Sequence, residues 1–146
     1  MESKKITSDF SVSPQMSAAD VAEAARQGIK TIICNRPDAE GGADQPVGSD
    51  IESAAQAHGI AFRSIPFTSG QQTLDDIAAF RQALQEMPAP VLAYCRTGTR
   101  SAQIWAMAQS TVSGNSVDDT ISMAAAAGID LSKLRPVLEK LAGQAG

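Results

Sequence analysis

The sequence predicts an α/β domain with a central, mostly parallel sheet of about four to five strands flanked by helices. Three observations carry this. Short β-branched apolar runs alternate with stretches of helical periodicity, Gly and Pro punctuate the junctions, and 146 residues with 43% AVILMFWYC supply one buried core and not two. Residues 1–146 are therefore expected to form a single domain.

The elements follow in chain order. Ile6 to Val12 alternates loosely and meets Pro14, the pattern of an edge strand or a hairpin arm. Ser17 with Asp20 three residues on predicts a capped helix that runs to Gln27 and stops at Gly28. Ile29 to Cys34 is a β-branched run closed by Asn35-Arg36-Pro37, hence a buried strand ending in a loop. Residues 38–48 hold Gly41, Gly42, Pro46 and Gly48 and read as loop, after which Ser49-Asp50-Ile51-Glu52 repeats the capping pattern for a helix ending near His58-Gly59. Ile60 to Ile65 is the next strand. From Thr73, the positions Leu74, Ile77, Phe80, Leu84 and Met87 recur at helical spacing until Pro88 and Pro90 end the element. Val91 to Tyr94 is a short apolar strand running into Cys95. Ile104, Trp105 and Ala108 then suggest a helix with one face turned inward, and helices near 117–127 and 131–142, the latter with Pro136 in its first turns, complete the domain.

Composition excludes several functions. Twelve Lys and Arg against sixteen Asp and Glu leave a formal net charge of −4 with no basic patch, which argues against a nucleic-acid partner. An aromatic content of 4% offers no stacking platform. No apolar run approaches the ~20 residues of a membrane span, and Met1 to Phe10 has no apolar signal core, so the reading is cytoplasmic with no membrane partner. Two cysteines and one histidine make neither a disulfide framework nor a zinc site, and no metal or cofactor is expected. What remains is a cysteine in need of a reason.

A cysteine that ends a buried strand and precedes a Gly-containing loop and a helix has its sulfur beside the helix N-terminus. Cys95-Arg96-Thr97-Gly98-Thr99-Arg100-Ser101 stands in that order after Val91–Tyr94. The helix field and converging backbone N–H groups favour an anion there, and Arg96 and Arg100 add positive charge. Such surroundings lower a cysteine pKa from about 8.5 to roughly 3.5–7.5, so the nucleophilic thiolate dominates at neutral pH. Gly98 lets the backbone turn so that N–H groups converge, and the planar fork of Arg100 can hold two oxygens at once. Ser101 places a hydroxyl to bond the sulfur or the first-turn N–H groups. Cys95 and Arg100 are thus the candidate catalytic pair, with Arg96, Thr97, Gly98, Thr99 and Ser101 as candidate contacts to a small anionic substrate. Arg36 and Asp38, leaving another strand end, either line the same pocket or form a loop ion pair.

The run Tyr94 to Ser101 resembles the anion-binding loop of cysteine-based phosphatases, in which a nucleophilic Cys, a Gly three positions on and an Arg before Ser or Thr cradle phosphate. More widely, the chain is similar to the bacterial family of beta-lactamase hydrolase-like protein phosphatase-like domains. That similarity runs through Pro14-Gln15, Gly28 to Ile33, Asn35-Arg36-Pro37-Asp38, Ile65-Pro66 and Pro90 to Ser101. The resemblance implies a fold like the dual-specificity phosphatases and a phosphatase-like hydrolase, with Cys95 as nucleophile and Arg100 as the oxyanion-binding arginine.

Two departures open an alternative. The phosphatases place five residues between Cys and Arg, whereas four lie between Cys95 and Arg100, the spacing of the rhodanese loop that carries a persulfide on its cysteine. The phosphatases also supply a general-acid Asp after the strand equivalent to Ile60–Ile65, where this chain has Thr68-Ser69-Gly70; Asp75 and Asp76 belong to the first turn of a helix. A positioned proton donor is worth roughly 100- to 10,000-fold for an oxide leaving group, and a sulfite leaving group needs none. The substrate is accordingly a phosphate ester or, in the alternative, a sulfane-sulfur donor; a non-catalytic oxyanion-binding module is a third reading. Beside these stand plainer readings: Cys95 as a small buried hydrophobe, Arg96 as a solvent-facing residue, Cys34 as structural cysteine or as resolving partner of an oxidised Cys95, His58 as a helix terminator, and Trp105 as core.

Overall fold

The structure, a computed structural model, describes residues 1–145 of the chain. Lys4–Thr7 (β1) and Phe10–Ser13 (β2) form an antiparallel hairpin, so the run Ile6–Val12 is two strands and a turn, in which the Thr7 hydroxyl accepts from the Asp9 N–H at 3.1 Å. Ala18–Arg26 (α1), Thr31–Cys34 (β3), Gly48–Ala57 (α2), Ala61–Ser64 (β4), Leu74–Glu86 (α3), Val91–Tyr94 (β5), Thr99–Ser110 (α4) and Val117–Ala126 (α5) follow. A 3-10 turn over Ser132–Leu134 leads into Arg135–Ala145 (α6).

The five strands form one sheet in the order β1-β2-β5-β3-β4, antiparallel only at β1–β2. In register, Ser13, Tyr94, Cys34 and Ser64 lie level across β2, β5, β3 and β4. Four chain segments therefore leave the sheet at one edge, and the loops that follow converge there. Alternation along the strands sorts the core into two layers. Ile32, Cys34, Leu92 and Tyr94 pack with Val21 and Ala24 of α1 and Ile51 and Ala55 of α2. Ile33, Val91 and Ala93 face Phe80 of α3, Ala124 of α5 and Leu138 of α6, with α4 between them. All four residues of β5 are buried, as a central parallel strand covered on both faces requires.

The start of α1 follows the predicted capping chemistry, and the start of α2 departs from it. Ser17 with Asp20 and Thr73 with Asp76 form reciprocal capping boxes on α1 and α3, which also makes Asp76 a first-turn residue as expected. On α2 the expected Ser49–Glu52 box does not form. The helix begins two residues earlier, at Gly48 with Val47 as N-cap, and Asp38 Oδ1 accepts the Gly48 N–H at 2.8 Å from ten residues upstream. The expectation that α4 turns one face inward is also corrected: Ala102, Ile104, Trp105, Ala106, Met107 and Ala108 are all buried, because the sheet covers one side and α3, α5 and α6 the others. Trp105 is core, its ring stacked on Phe10 at a centroid distance of 5.7 Å.

Candidate active site

The site is assembled where β5 ends. Cys95 follows the most enclosed strand, is itself buried, and receives a hydrogen bond on its sulfur from the Gly98 N–H at 3.1 Å. That bond requires the backbone to double back within three residues. Gly98 does so at φ 96°, a left-handed conformation that costs little only without a Cβ, and it serves as the N-cap of α4. The sulfur thus lies at the positive end of α4. The N–H groups of Arg96, Thr97, Arg100 and Ser101 have no hydrogen-bond partner among the described residues, so the loop leaves four backbone donors unpaired. Gln15 ties this loop to the end of β2 by donating its N–H to the Arg96 carbonyl at 3.3 Å.

The predicted contacts divide into two groups. Arg96, Thr97 and Thr99 are exposed around the loop, and Gly98 is buried beneath them. Ser101 does not turn its hydroxyl to the sulfur: Oγ donates to Asn35 Oδ1 at 2.8 Å. Arg100 is buried, and its guanidinium reaches across the sheet edge. Nη1 donates to Glu40 Oε2 at 3.0 Å and to the Phe67 carbonyl at 3.1 Å, while Nη2 donates to Glu40 Oε1 at 2.9 Å. Arg36 joins the same cluster. Its Nε donates to Glu40 Oε1 at 3.1 Å and its Nη1 to Gln15 Oε1 at 3.1 Å, so the ion pair at this strand end is with Glu40, and Asp38 is spent on α2. Arg100 above all, then Arg36, holds the Glu40 carboxyl below its ordinary range.

Two residues of this assembly escaped the sequence reading. Asn35, fully buried, bridges Ser101 and the Ile65 carbonyl, to which its Nδ2 donates at 3.0 Å. Glu40 sits in the Gly-rich stretch read as loop; its only signal is an acid four residues after Arg36. Cys34 is buried on the α1/α2 face with Tyr94, its thiol donating to the Arg36 carbonyl at 3.3 Å, and burial pushes that thiol up. His58 ends α2 and is exposed. The loop after β4, Ile65 to Gln72, carries no carboxylate. No group of three or more His, Cys, Asp or Glu among the described residues could hold a metal, and no helix is long and apolar enough to cross a membrane. The roomier hollows, of about 350 and 400 Å³, cluster around Arg81 away from Cys95 and contain no nucleophile.

The comparisons with known proteins fall on this same region. A crystal structure from Neisseria meningitidis, named as a candidate phosphatase, superposes with a TM-score of 0.82 at 38% identity, covering 94% of this chain and 96% of that one. PTPMT1, at 14% identity, shares the fold with a TM-score of 0.73 over 99% of this chain and 96% of its own, which places the sheet and helices among the dual-specificity-phosphatase-like folds. Among curated proteins, the beta-lactamase hydrolase-like protein of Agrobacterium fabrum is 34% identical over 109 residues, 75% of this chain. The chain spans only 25% of that relative's length, and 32% of its Xylella fastidiosa counterpart, to which it is 30% identical. Residues 2–112, from β1 through the whole of the Cys95 loop and α4, match one family description, and the chain belongs to that family, the beta-lactamase hydrolase-like protein, phosphatase-like domain.

Proposed function

We propose that the chain is a cysteine-dependent, phosphatase-like hydrolase of small phosphate esters. The observation that carries this is the Cys95 sulfur lying under the Gly98 N–H at 3.1 Å, inside a loop in which the N–H groups of Arg96, Thr97, Arg100 and Ser101 have no partner among the described residues. In this reading the Cys95 thiolate attacks phosphorus, the bond from phosphorus to the ester oxygen breaks, and the leaving oxygen carries away the electron pair. The loop N–H groups and Arg100 stabilise the charge on the non-bridging oxygens. Water then cleaves the phosphocysteine and releases phosphate. With no carboxylate after β4 to protonate the leaving group, aryl phosphates should turn over roughly 100-fold or more faster than alkyl phosphates. The test is turnover of an aryl phosphate by the wild type and by Cys95→Ser. Cys95-dependent release of phosphate supports the reading, and equal rates in the two proteins refute it.

The four-residue spacing and the missing acid favour one second reading, sulfur transfer. Here the Cys95 thiolate attacks the outer sulfur of thiosulfate, the S–S bond breaks, and sulfite departs with the electron pair. A thiolate or cyanide acceptor then attacks the outer sulfur of the persulfide and regenerates the Cys95 thiolate. Thiosulfate-to-cyanide transfer without aryl phosphate turnover would replace the first reading by this one.

A further inference from the structure

An arginine side chain has two bidentate edges, an end-on edge made by Nη1 and Nη2 and a side-on edge made by Nε and Nη2. In Arg100 the end-on edge is taken by the two carboxylate oxygens of Glu40 at 3.0 and 2.9 Å, with Phe67 accepting a further Nη1 proton. Nε is buried and meets no partner among the described residues. A buried charged donor without a partner is uncommon, because its lost hydration is uncompensated, so the side-on edge is the one left to receive a ligand oxygen. Glu40 is itself braced from behind by Arg36, which in turn bonds Gln15, and the Gln15 N–H returns to the Arg96 carbonyl. The chain of contacts begins and ends in the Cys95–Ser101 segment.

We propose that Glu40 is a positioning residue that clamps the end-on edge of Arg100 and so turns its side-on edge to a tetrahedral oxyanion held by the Cys95–Ser101 loop. The inference rests on reading that loop as an oxyanion site, and the oxyanion is either the phosphoryl group of an ester or the sulfonate end of thiosulfate. A carboxylate acting as a competitor would occupy the edge the ligand needs. Glu40 occupies the other one, and its charge is shared between two arginines. Arg36 then acts through Glu40 and not on the substrate.

The test titrates tungstate and, separately, thiosulfate into the full chain labelled with 15N-arginine, with the Arg100 Nε–H resonance identified by its loss in Arg100→Lys. In the wild type, binding shifts this resonance, and the Nη signals are resolved because the clamp hinders rotation. Glu40→Gln keeps the shape and removes the charge; it should bind the same anion about tenfold to a hundredfold more weakly, as loss of a charge-assisted pair implies. Its Nη signals should coalesce while its circular dichroism stays native, and Glu40→Asp should recover part of the affinity. A response to tungstate alone assigns the phosphoryl source and a response to thiosulfate alone the sulfonate source, each supporting the proposal if Glu40→Gln weakens it. Equal or tighter binding by Glu40→Gln overturns the positioning role and leaves the oxyanion loop standing. A wild type that binds neither anion overturns both.

Discussion

Asn35→Ala is the perturbation that tests how the site is held together. Asn35 is fully buried at the end of β3, and its side chain makes two hydrogen bonds that cross elements: Nδ2 to the Ile65 carbonyl at 3.0 Å, and Oδ1 from the Ser101 hydroxyl at 2.8 Å. Its main-chain bonds, to the Tyr94 carbonyl and from the Phe67 N–H, survive the substitution. The loss is therefore confined to one buried acceptor and one buried hydroxyl left without partners, about 1–3 kcal/mol each, or roughly 2–6 kcal/mol together. Against a typical total of about 5–15 kcal/mol this is a third of the stability, and with a urea slope of about 1–3 kcal/mol/M it lowers the midpoint by roughly 1–2 M. Urea unfolding followed by tryptophan fluorescence is the assay, since Trp105 is the only tryptophan and lies in the core. Ser101→Ala alone leaves Asn35 Oδ1 unpaired. Because the two variants remove the same bond, the double variant should cost less than the sum of the singles by about 1 kcal/mol. A midpoint for Asn35→Ala within about 0.3 M of the wild type, or strict additivity with Ser101→Ala, would refute the argument that this bridge joins β3, β4 and α4.

Other expectations follow from the same geometry. Gly98→Ala keeps ordinary contacts, since its Cβ would lie 3.5 Å from the Ser13 carbonyl carbon, but the φ of 96° should cost about 1–2 kcal/mol in urea unfolding. If the Gly98 N–H is what holds the Cys95 sulfur, activity falls further than stability does. The Glu40 carboxyl lies below its ordinary value of 4.5 because Arg100, then Arg36, bonds the ionised form. A depressed native pKa stabilises above the unfolded value and is lost as pH falls through the native one, so the stability gap between wild type and Glu40→Gln should be full near neutrality and close below about pH 4.5. A gap that widens with acid contradicts the ion cluster. Cys34, pushed up by burial and donating to the Arg36 carbonyl, should resist iodoacetamide in the native protein and react once it is unfolded. Modification of native Cys34, mapped by mass, would contradict its placement.

The parts of this protein legible in its sequence are those with local causes. The apolar runs of Thr31–Cys34 and Val91–Tyr94, the capping box at Ser17, and the strand-loop-helix order around Cys95 are each decided within a few residues, and each is present in the fold. What escaped was decided across the chain. The start of α2 is governed by Asp38, not by Ser49, because a carboxylate already placed by the preceding loop satisfies the Gly48 N–H better than a side chain two residues inside the helix could. Asn35 looked like loop punctuation because its two partners, Ile65 and Ser101, are brought to it only by the parallel register of β3 with β4 and β5. Glu40 lay in a segment whose glycines announced a loop and concealed that one side chain in it returns to the Arg100 helix. The alanines of α4 could have shown its deep burial: Ala102, Ala106 and Ala108 allow the sheet and the neighbouring helices to approach closely.

The net charge of −4 also takes on a structural meaning when the acids are placed. Asp20 opens α1, Asp50 opens α2, Asp75 and Asp76 open α3, and Asp118 and Asp119 open α5, so these acids lie against the positive ends of helix dipoles. Among α1 to α5, α4 alone has neither an acid in its first turn nor an N–H donating to a carboxylate, and its N-cap is a glycine. An uncompensated helix end would ordinarily be filled, since an acid there contributes about 0.3–1 kcal/mol and a capping side chain about 1 kcal/mol. The sequence forgoes both at the one helix that begins beside Cys95. It places Arg100 in that first turn instead, a cation where the dipole disfavours one, and balances it with Glu40 from the far side of the sheet edge. That arrangement is unfavourable for the helix alone, and under the proposed function an anion in the loop would offset it.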